Sequence, residues 1–227
     1  MKKLLFVATI CLLLAVGTAY SAETKAVKAG SRASNAFYAG ARSGLQSISA
    51  DVTIKDIESS GSLARKFDYD NDGFDYGAFV GWKRYAKKWF VGLELEYMDS
   101  GTEVEKSDFY YKTTFKEGPG FSLSARGGYE FTKDTFLTAR LGWIRREYSV
   151  SEWFDPDYRY KEDDDLDGVQ VGLGMEYFIC SSVSIVGDLR YTKYTDELSY
   201  NHFRPTAHNT KFEPSAVSFT LGVAYEF

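Results

Sequence analysis

The sequence has little with which to do covalent or metal chemistry. Among 227 residues there are two cysteines and two histidines. Cys11 lies in an N-terminal apolar run, and loss of that run leaves Cys180 alone, so no internal disulfide can staple the chain. Two histidines supply few metal ligands and few groups that titrate near neutrality. Positive charge is also short: 27 lysines and arginines face 32 aspartates and glutamates, the wrong balance for a nucleic-acid surface. Past residue 22, no apolar run reaches the roughly 20 residues that a membrane helix needs.

What is present begins with a leader. Lys2 and Lys3 precede an apolar run from Leu4 to Val16 and small residues near Ala19 to Ala22, the layout of a secretory signal peptide over 1–22. The run is too short to span a bilayer, and no stop-transfer pattern follows it. Ala8, Thr9 and Ile10 before Cys11 do not spell a lipoprotein signal. Cleavage removes two lysines and no acids, which lowers the net charge to about −7. Residues 23–35 are expected as a short periplasmic segment, and 36–227 as one domain able to bury a sizeable core.

That domain alternates with a period of two. In WFVGLELEYM, Trp89, Val91, Leu93, Leu95 and Tyr97 share one face, and Phe90, Gly92, Glu94, Glu96 and Met98 the other. In GFSLSARGGYEF, Phe121, Leu123, Ala125, Tyr129 and Phe131 oppose Ser122, Ser124, Arg126, Gly128 and Glu130. Segments starting at Phe37, Phe74, Phe136, Val169, Val183 and Ser218 obey the same rule, which makes eight predicted strands. Connectors near 49–72, 100–118, 150–167 and 196–215 are long, while those at Lys83–Lys88, Thr132–Thr135 and Cys180–Ser182 are short. This spacing predicts an all-β fold: an eight-stranded antiparallel up-and-down transmembrane β-barrel with short periplasmic turns, long external loops and both termini at the periplasmic rim.

A soluble sandwich or lipocalin-type barrel also alternates, so the direction of the pattern decides. Gly40, Gly77, Gly81, Gly92, Gly128, Gly142, Gly172, Gly174 and Gly222 all fall on the polar face. Glycine weakens a strand unless something approaches closely, and the inside of a narrow eight-stranded wall supplies that crowding. Aromatics gather at strand ends: Trp82 and Trp89 flank one short turn, and Tyr177, Tyr225 and Phe227 close their strands, as in an interfacial girdle. The apolar face, with nearly all the aromatics, is therefore expected to meet lipid.

The polar face then becomes a lumen. Arg42, Arg126, Arg140 and Arg190 are set there against Glu94, Glu96, Glu176 and Asp188. Isolated buried charges are costly and matched, hydrogen-bonded pairs recover much of that cost, so a salt-bridged plug is predicted. Balanced charges on six strands without a nucleophile and neighbouring histidine read as core neutralisation rather than an acid–base site. His202 and His208 are expected in the last long loop. No catalytic, cofactor-binding or metal-ligating residue is assigned.

Signal peptide, eight alternating strands and the ending SFTLGVAYEF, with Phe219, Leu221, Val223, Tyr225 and a last Phe227 on one face, resemble the small outer-membrane barrels related to OmpX, the opacity proteins and the membrane domain of OmpA. The resemblance covers essentially the whole mature chain. It implies residence in the outer membrane of a Gram-negative bacterium, contact with lipid and lipopolysaccharide, and recognition of the terminal strand by the barrel-assembly machinery. Such barrels include adhesins, structural anchors and a few lipid A enzymes. The His-x-Ser pair of the PagL-type deacylases has no match, since Phe203-Arg204 follows His202 and Asn209-Thr210 follows His208. With no peptidoglycan-binding domain after Phe227, a wall anchor of the OmpA kind is not expected.

Two acidic stretches stand apart: DYDNDGFDYG from Asp68 and DDDLDGVQVG from Asp163. Both begin like an EF-hand loop, but position twelve is Phe79 in one and Gly174 in the other, and strands rather than helices follow. Asp and Asn favour turns, so turn chemistry where an external loop enters a strand is the expectation. Asp68, Asp70 and Asp72 with Asp163, Asp165 and Asp167 also suggest an acidic rim that could hold divalent cations against lipopolysaccharide phosphates. The functional expectation is a plugged barrel acting in surface interaction, adhesion or envelope structure through its loops, with Phe109, Tyr110 and Tyr111 as contact candidates. A lipid A-modifying enzyme and a narrow pore stay open as alternatives.

Overall fold

The computed structural model describes Ser34–Phe227 except 59–60, 109–110, 155–157, 196–197 and 203–207. The expected signal peptide, residues 23–33, and Phe109 and Tyr110 lie outside the described residues. Ten strands are present: β1 (Asn35–Glu58), β2 (Gly61–Ala86), β3 (Trp89–Ser100), β4 (Glu103–Asp108), β5 (Tyr111–Thr132), β6 (Thr135–Phe154), β7 (Tyr158–Phe178), β8 (Val183–Tyr194), β9 (Leu198–His202) and β10 (His208–Glu226). Eight of them, β1, β2, β3, β5, β6, β7, β8 and β10, pair antiparallel in that order, and β10 returns to β1 from Tyr38↔Glu226 to Asp56↔His208. The ring is closed, as predicted. β4 runs beside β5 as an extension of β3, and β9 beside β10 as an extension of β8.

Burial settles which way the strands face. Leu93 and Leu173 are 53% and 69% exposed, while Glu94 and Glu176 are 1% and 0%. In water that arrangement would be inverted; a lipid surround makes it favourable, because hydrocarbon takes the apolar face and every backbone group is paired around the ring. The lipid-facing set of β3 runs from Trp89 to Tyr97, close to the roughly 9–11 residues that a tilted strand needs to cross. At the periplasmic end the turns are tighter than the sequence suggested. Lys87–Lys88 alone link β2 to β3, with Lys87 at φ 55°, the positive value that primed hairpin turns require.

Two expectations need correction. The long external connectors are largely strand: β1 and β2 stay paired from Asn35↔Arg84 to Glu58↔Gly61, and β6 and β7 to Phe154↔Tyr158. Backbone pairing does not depend on the lipid-matched alternation that marked the strands in the sequence, so it continues into water. The aromatics are also not all outside. Tyr38, Phe79, Phe90, Phe136, Tyr148, Phe178 and Tyr194 are buried in the lumen. Three of them lie over the glycine directly across the ladder: Phe79 over Gly40, Tyr38 over Gly81, and Phe90 over Gly128. A Cβ on Gly40 would sit 2.3 Å from both the Phe79 ring and the Val223 carbonyl oxygen. The predicted crowding behind the glycines is present, and rings supply much of it.

Above the lipid band the ring divides. Pairing between β2 and β3 ends at Asp75↔Ser100, and pairing between β7 and β8 ends at Gly168↔Tyr194. Among the described residues β4 pairs only with β5 and β9 only with β10. The outer part of the molecule therefore comprises two four-stranded sheets, β9-β10-β1-β2 and β4-β5-β6-β7.

Candidate functional site

The lumen is built in three layers. At the periplasmic end Phe90, Phe136 and Phe178 pack together with Tyr85 against them, the ring of Phe136 5.5 Å from that of Phe90 and 6.0 Å from that of Phe178. Above this stopper Lys83 Nζ donates to Glu176 Oε1 (2.6 Å) and Glu226 Oε1 (2.9 Å), and its charge lies 4.4 Å from the Tyr38 ring centroid. The Tyr85 hydroxyl donates to the same Glu226 oxygen and the Ser184 hydroxyl to Glu176.

The middle layer centres on Glu94, whose carboxylate accepts from Arg42, Arg140, Arg126 Nη1 (2.8 Å) and the Tyr38 hydroxyl (2.9 Å). Glu96 meets Arg190 Nη1 at 3.1 Å and Arg42 Nε at 3.1 Å. Asp188 takes Arg42 Nη1 at 2.8 Å. Arg126 and Arg140 stand directly opposite on paired strands, where like charges repel. Glu94 between them turns that repulsion into a bridge, and the Arg42 guanidinium also lies 3.9 Å above the Phe79 ring.

The outer layer is organised by Arg146. Its Nη2 donates to Asp75 (2.8 Å) and its Nη1 lies 2.9 Å from Glu117, while Gln46 Nε2 and the Tyr148 hydroxyl also donate to Glu117. A register shift in β5 between Glu117 and Gly120 turns Glu117 inward and presents the Gly118 carbonyl to Arg146 Nε.

All eight charged residues predicted for the lumen are there and buried. Five others were not foreseen: Lys83, assigned to a turn; Arg146, just beyond a predicted strand end; Asp75 and Glu226, unremarked within predicted strands; and Glu117. Continuing each strand's alternation by a few residues recovers the first four. Glu117 is different, because counting back from Gly120 places it on the lipid face and only the bulge reverses it. Together six cationic and seven acidic side chains are buried in the lumen.

The acidic stretches are not turns. Asp68, Asp70 and Asp72 lie within β2 opposite Asp51, Ser49 and Ser47, and Asp163, Asp165 and Asp167 within β7 opposite Ser149, Glu147 and Arg145. Each stretch borders the side on which its sheet has lost its neighbour, and charge on an open edge discourages unwanted pairing. In the ring β2 and β7 are four strands apart, so the six aspartates do not converge on one rim site. Arg145 donates to both carboxylate oxygens of Asp167 (2.8 and 2.6 Å), and Lys161 to Asp163 (2.8 Å). These donors hold the Asp163 and Asp167 carboxyls below the usual carboxylate range. Among the described residues no group of three or more His, Cys, Asp and Glu could hold a metal ion. His202 and His208, expected in a loop, are instead paired across the β9–β10 ladder.

A closed antiparallel ring with a lipid-facing girdle and a charged, filled lumen defines an outer-membrane β-barrel. The chain belongs to the outer membrane protein beta-barrel domain family, whose pattern it matches over residues 9–227, and its place is the outer membrane of a Gram-negative bacterium. Among solved structures it is similar to OprG of Pseudomonas aeruginosa, at 14% identity, TM-score 0.52, and coverage of 85% of this chain and 97% of that one. It is also similar to the attachment invasion locus protein Ail of Yersinia pestis (14%, TM-score 0.45, 82% and 98%) and to the outer membrane protease OmpT of Escherichia coli (13%, TM-score 0.48, 88% and 100%). At these identities the likeness concerns the fold. No curated protein sequence matches the chain.

Proposed function

We propose that this barrel is a non-catalytic surface protein, a sealed membrane post whose two outer sheets make contacts at the cell surface. The observation that carries the reading is the division of one ring into a filled lumen below and open sheet edges above. A filled lumen leaves the outside of the molecule to act. Unpaired strand edges offer rows of N–H and C=O groups to an extended segment of a partner, the mode by which a strand adds to a sheet. Above their last pairings with β3 and β8, β2 carries Asp68, Asp70 and Asp72 and β7 carries Asp163, Asp164 and Asp165, so such partners are expected to be basic or extended enough to reach past the acids. The lipid-facing wall contacts phospholipid and lipopolysaccharide, and the strand ending at Phe227 is read by the assembly machinery.

The test combines three measurements on refolded and expressed protein. Planar bilayers are expected to stay silent, the lipid A mass spectrum to stay unchanged, and cells displaying the barrel to gain attachment to host cells or matrix. Steady single-channel conductance would replace the reading with a pore; a lipid A mass shift would replace it with an enzyme. Unchanged attachment would leave the envelope-structural role in place of the contact role.

A further inference from the structure

We propose that the periplasmic rim beneath β2, β3, β5 and β6 is a binding surface for the phosphate headgroups of anionic phospholipids in the inner leaflet. Two hairpin turns carry it. The first holds Lys87 and Lys88, with Arg84 two residues up the hairpin opposite Val91; the second holds Lys133 and Asp134. They are neighbours because β3 pairs with β5, and the Glu130 N–H at the foot of β5 donates to the Lys88 carbonyl (2.7 Å). Arg84, Lys87, Lys88 and Lys133 are all exposed. The third short connection, 179–182, reads Ile-Cys-Ser-Ser and carries no charge. Positive charge is thus gathered on one arc of the rim.

Depth identifies the occupant. Directly above the cations are the lipid-facing rings of Trp89, Tyr129 and Phe131, with Trp89 and Tyr129 in contact at 4.6 Å between centroids. Such rings mark the boundary between hydrocarbon and headgroups, and Lys and Arg beside them extend their charged tips into the headgroup layer. The tight Lys87–Lys88 turn provides no stalk that would lift the charge away from the bilayer. The opposite rim is of mixed sign at the same boundary: Asp72, Asp99 and Asp167 lie just past Phe74, Tyr97 and Val169, Arg145 is engaged by Asp167, and Lys193 is exposed opposite Val169. A lipid with a net negative headgroup therefore gains more at the periplasmic rim than at the outer one.

The test uses a chain whose only tryptophan is Trp89, with Trp82, Trp143 and Trp153 replaced by Phe. It is refolded into phosphatidylcholine vesicles containing brominated phosphatidylglycerol or, separately, brominated phosphatidylcholine. Quenching of Trp89 is expected to report about five-fold enrichment of phosphatidylglycerol, falling toward unity in 0.5 M salt. K87E/K88E/K133E is expected to abolish the enrichment, and a chain retaining only Trp143 to show less than half of it. Equal quenching by the two lipids, or enrichment that survives the triple charge reversal, overturns the proposal. As a second measurement that keeps all four tryptophans, native mass spectrometry of protein released from mixed vesicles should show retained phosphatidylglycerol, lost in the triple variant. Retention unchanged in that variant overturns it equally.

Discussion

Within the lipid band the eight strands close on themselves; beyond it the same strands form two sheets with free edges. Both regions are extended and backbone-paired, so the surroundings rather than the secondary structure explain the contrast. In hydrocarbon an unpaired N–H or C=O costs several kcal/mol, which forces closure. In water an open edge is solvated, and closure is no longer enforced. The ring opens between Phe74 and Gly101, and between Asp167 and Thr195, where the last cross-wall hydrogen bonds are made. The lumen repeats the lesson: charges that water would have served are buried, and are satisfied by each other and by hydroxyl, amide and carbonyl groups of the wall.

Four measurements would break or sharpen that contrast. The largest expected difference is in amide exchange. Ring amides such as those of Leu93 and Leu173 should exchange orders of magnitude more slowly than edge amides of residues 63–72 and 160–166, because edges open locally and the ring only as a whole. Equal protection would mean that the outer sheets are closed as well. Next is Glu94→Ala, which leaves Arg42, Arg126 and Arg140 without their shared acceptor. A loss of about 3–5 kcal/mol in urea unfolding from lipid vesicles is expected for breaking a buried ion network. Gly40→Ala should cost about 1–3 kcal/mol by overpacking against Phe79 and Val223, whereas Gly127→Ala, whose added Cβ would face lipid 3.8 Å from the Phe90 carbonyl oxygen, should stay within about 0.5 kcal/mol. The smallest effect belongs to the rim. The folded pKa of Asp167 is depressed by Arg145, so its contribution to stability is complete above the ordinary carboxyl value of about 3.9 and is lost as pH falls through the folded value. Asp167→Asn should flatten that part of the acid limb of unfolding and leave the profile above about pH 5 unchanged in shape.

Much of this was legible in the residues. Strand number, closure, the direction of the apolar face and the eight central charges all follow from a two-residue period and a composition that no water-facing sheet would carry. The reading failed where it used chemistry in place of pairing. Asp, Asn and Gly between Asp68 and Gly77 look like a turn, yet the partner strand β1 continues alongside and holds them extended. Lys83 looks like part of a turn, yet the turn is only Lys87–Lys88 and the inward face reaches down to Lys83. The alternation already set Phe90 on the inward face with Glu94 and Glu96; what it did not show is that Phe136 and Phe178 meet it there to stopper the barrel.

By itself the sequence determined the class of solvent this protein lives in, because hydrophobic periodicity is a local property that each strand carries alone. It also determined that the lumen would be neutralised, since nearly balanced charges on one face need no knowledge of distance. Only the tertiary structure decided which charge meets which, because partners such as Arg42 and Asp188 are brought together by ring closure across most of the chain. It likewise decided where the ring gives way to two sheets. That boundary depends on which strands still have a neighbour, a relation between segments that no single segment encodes.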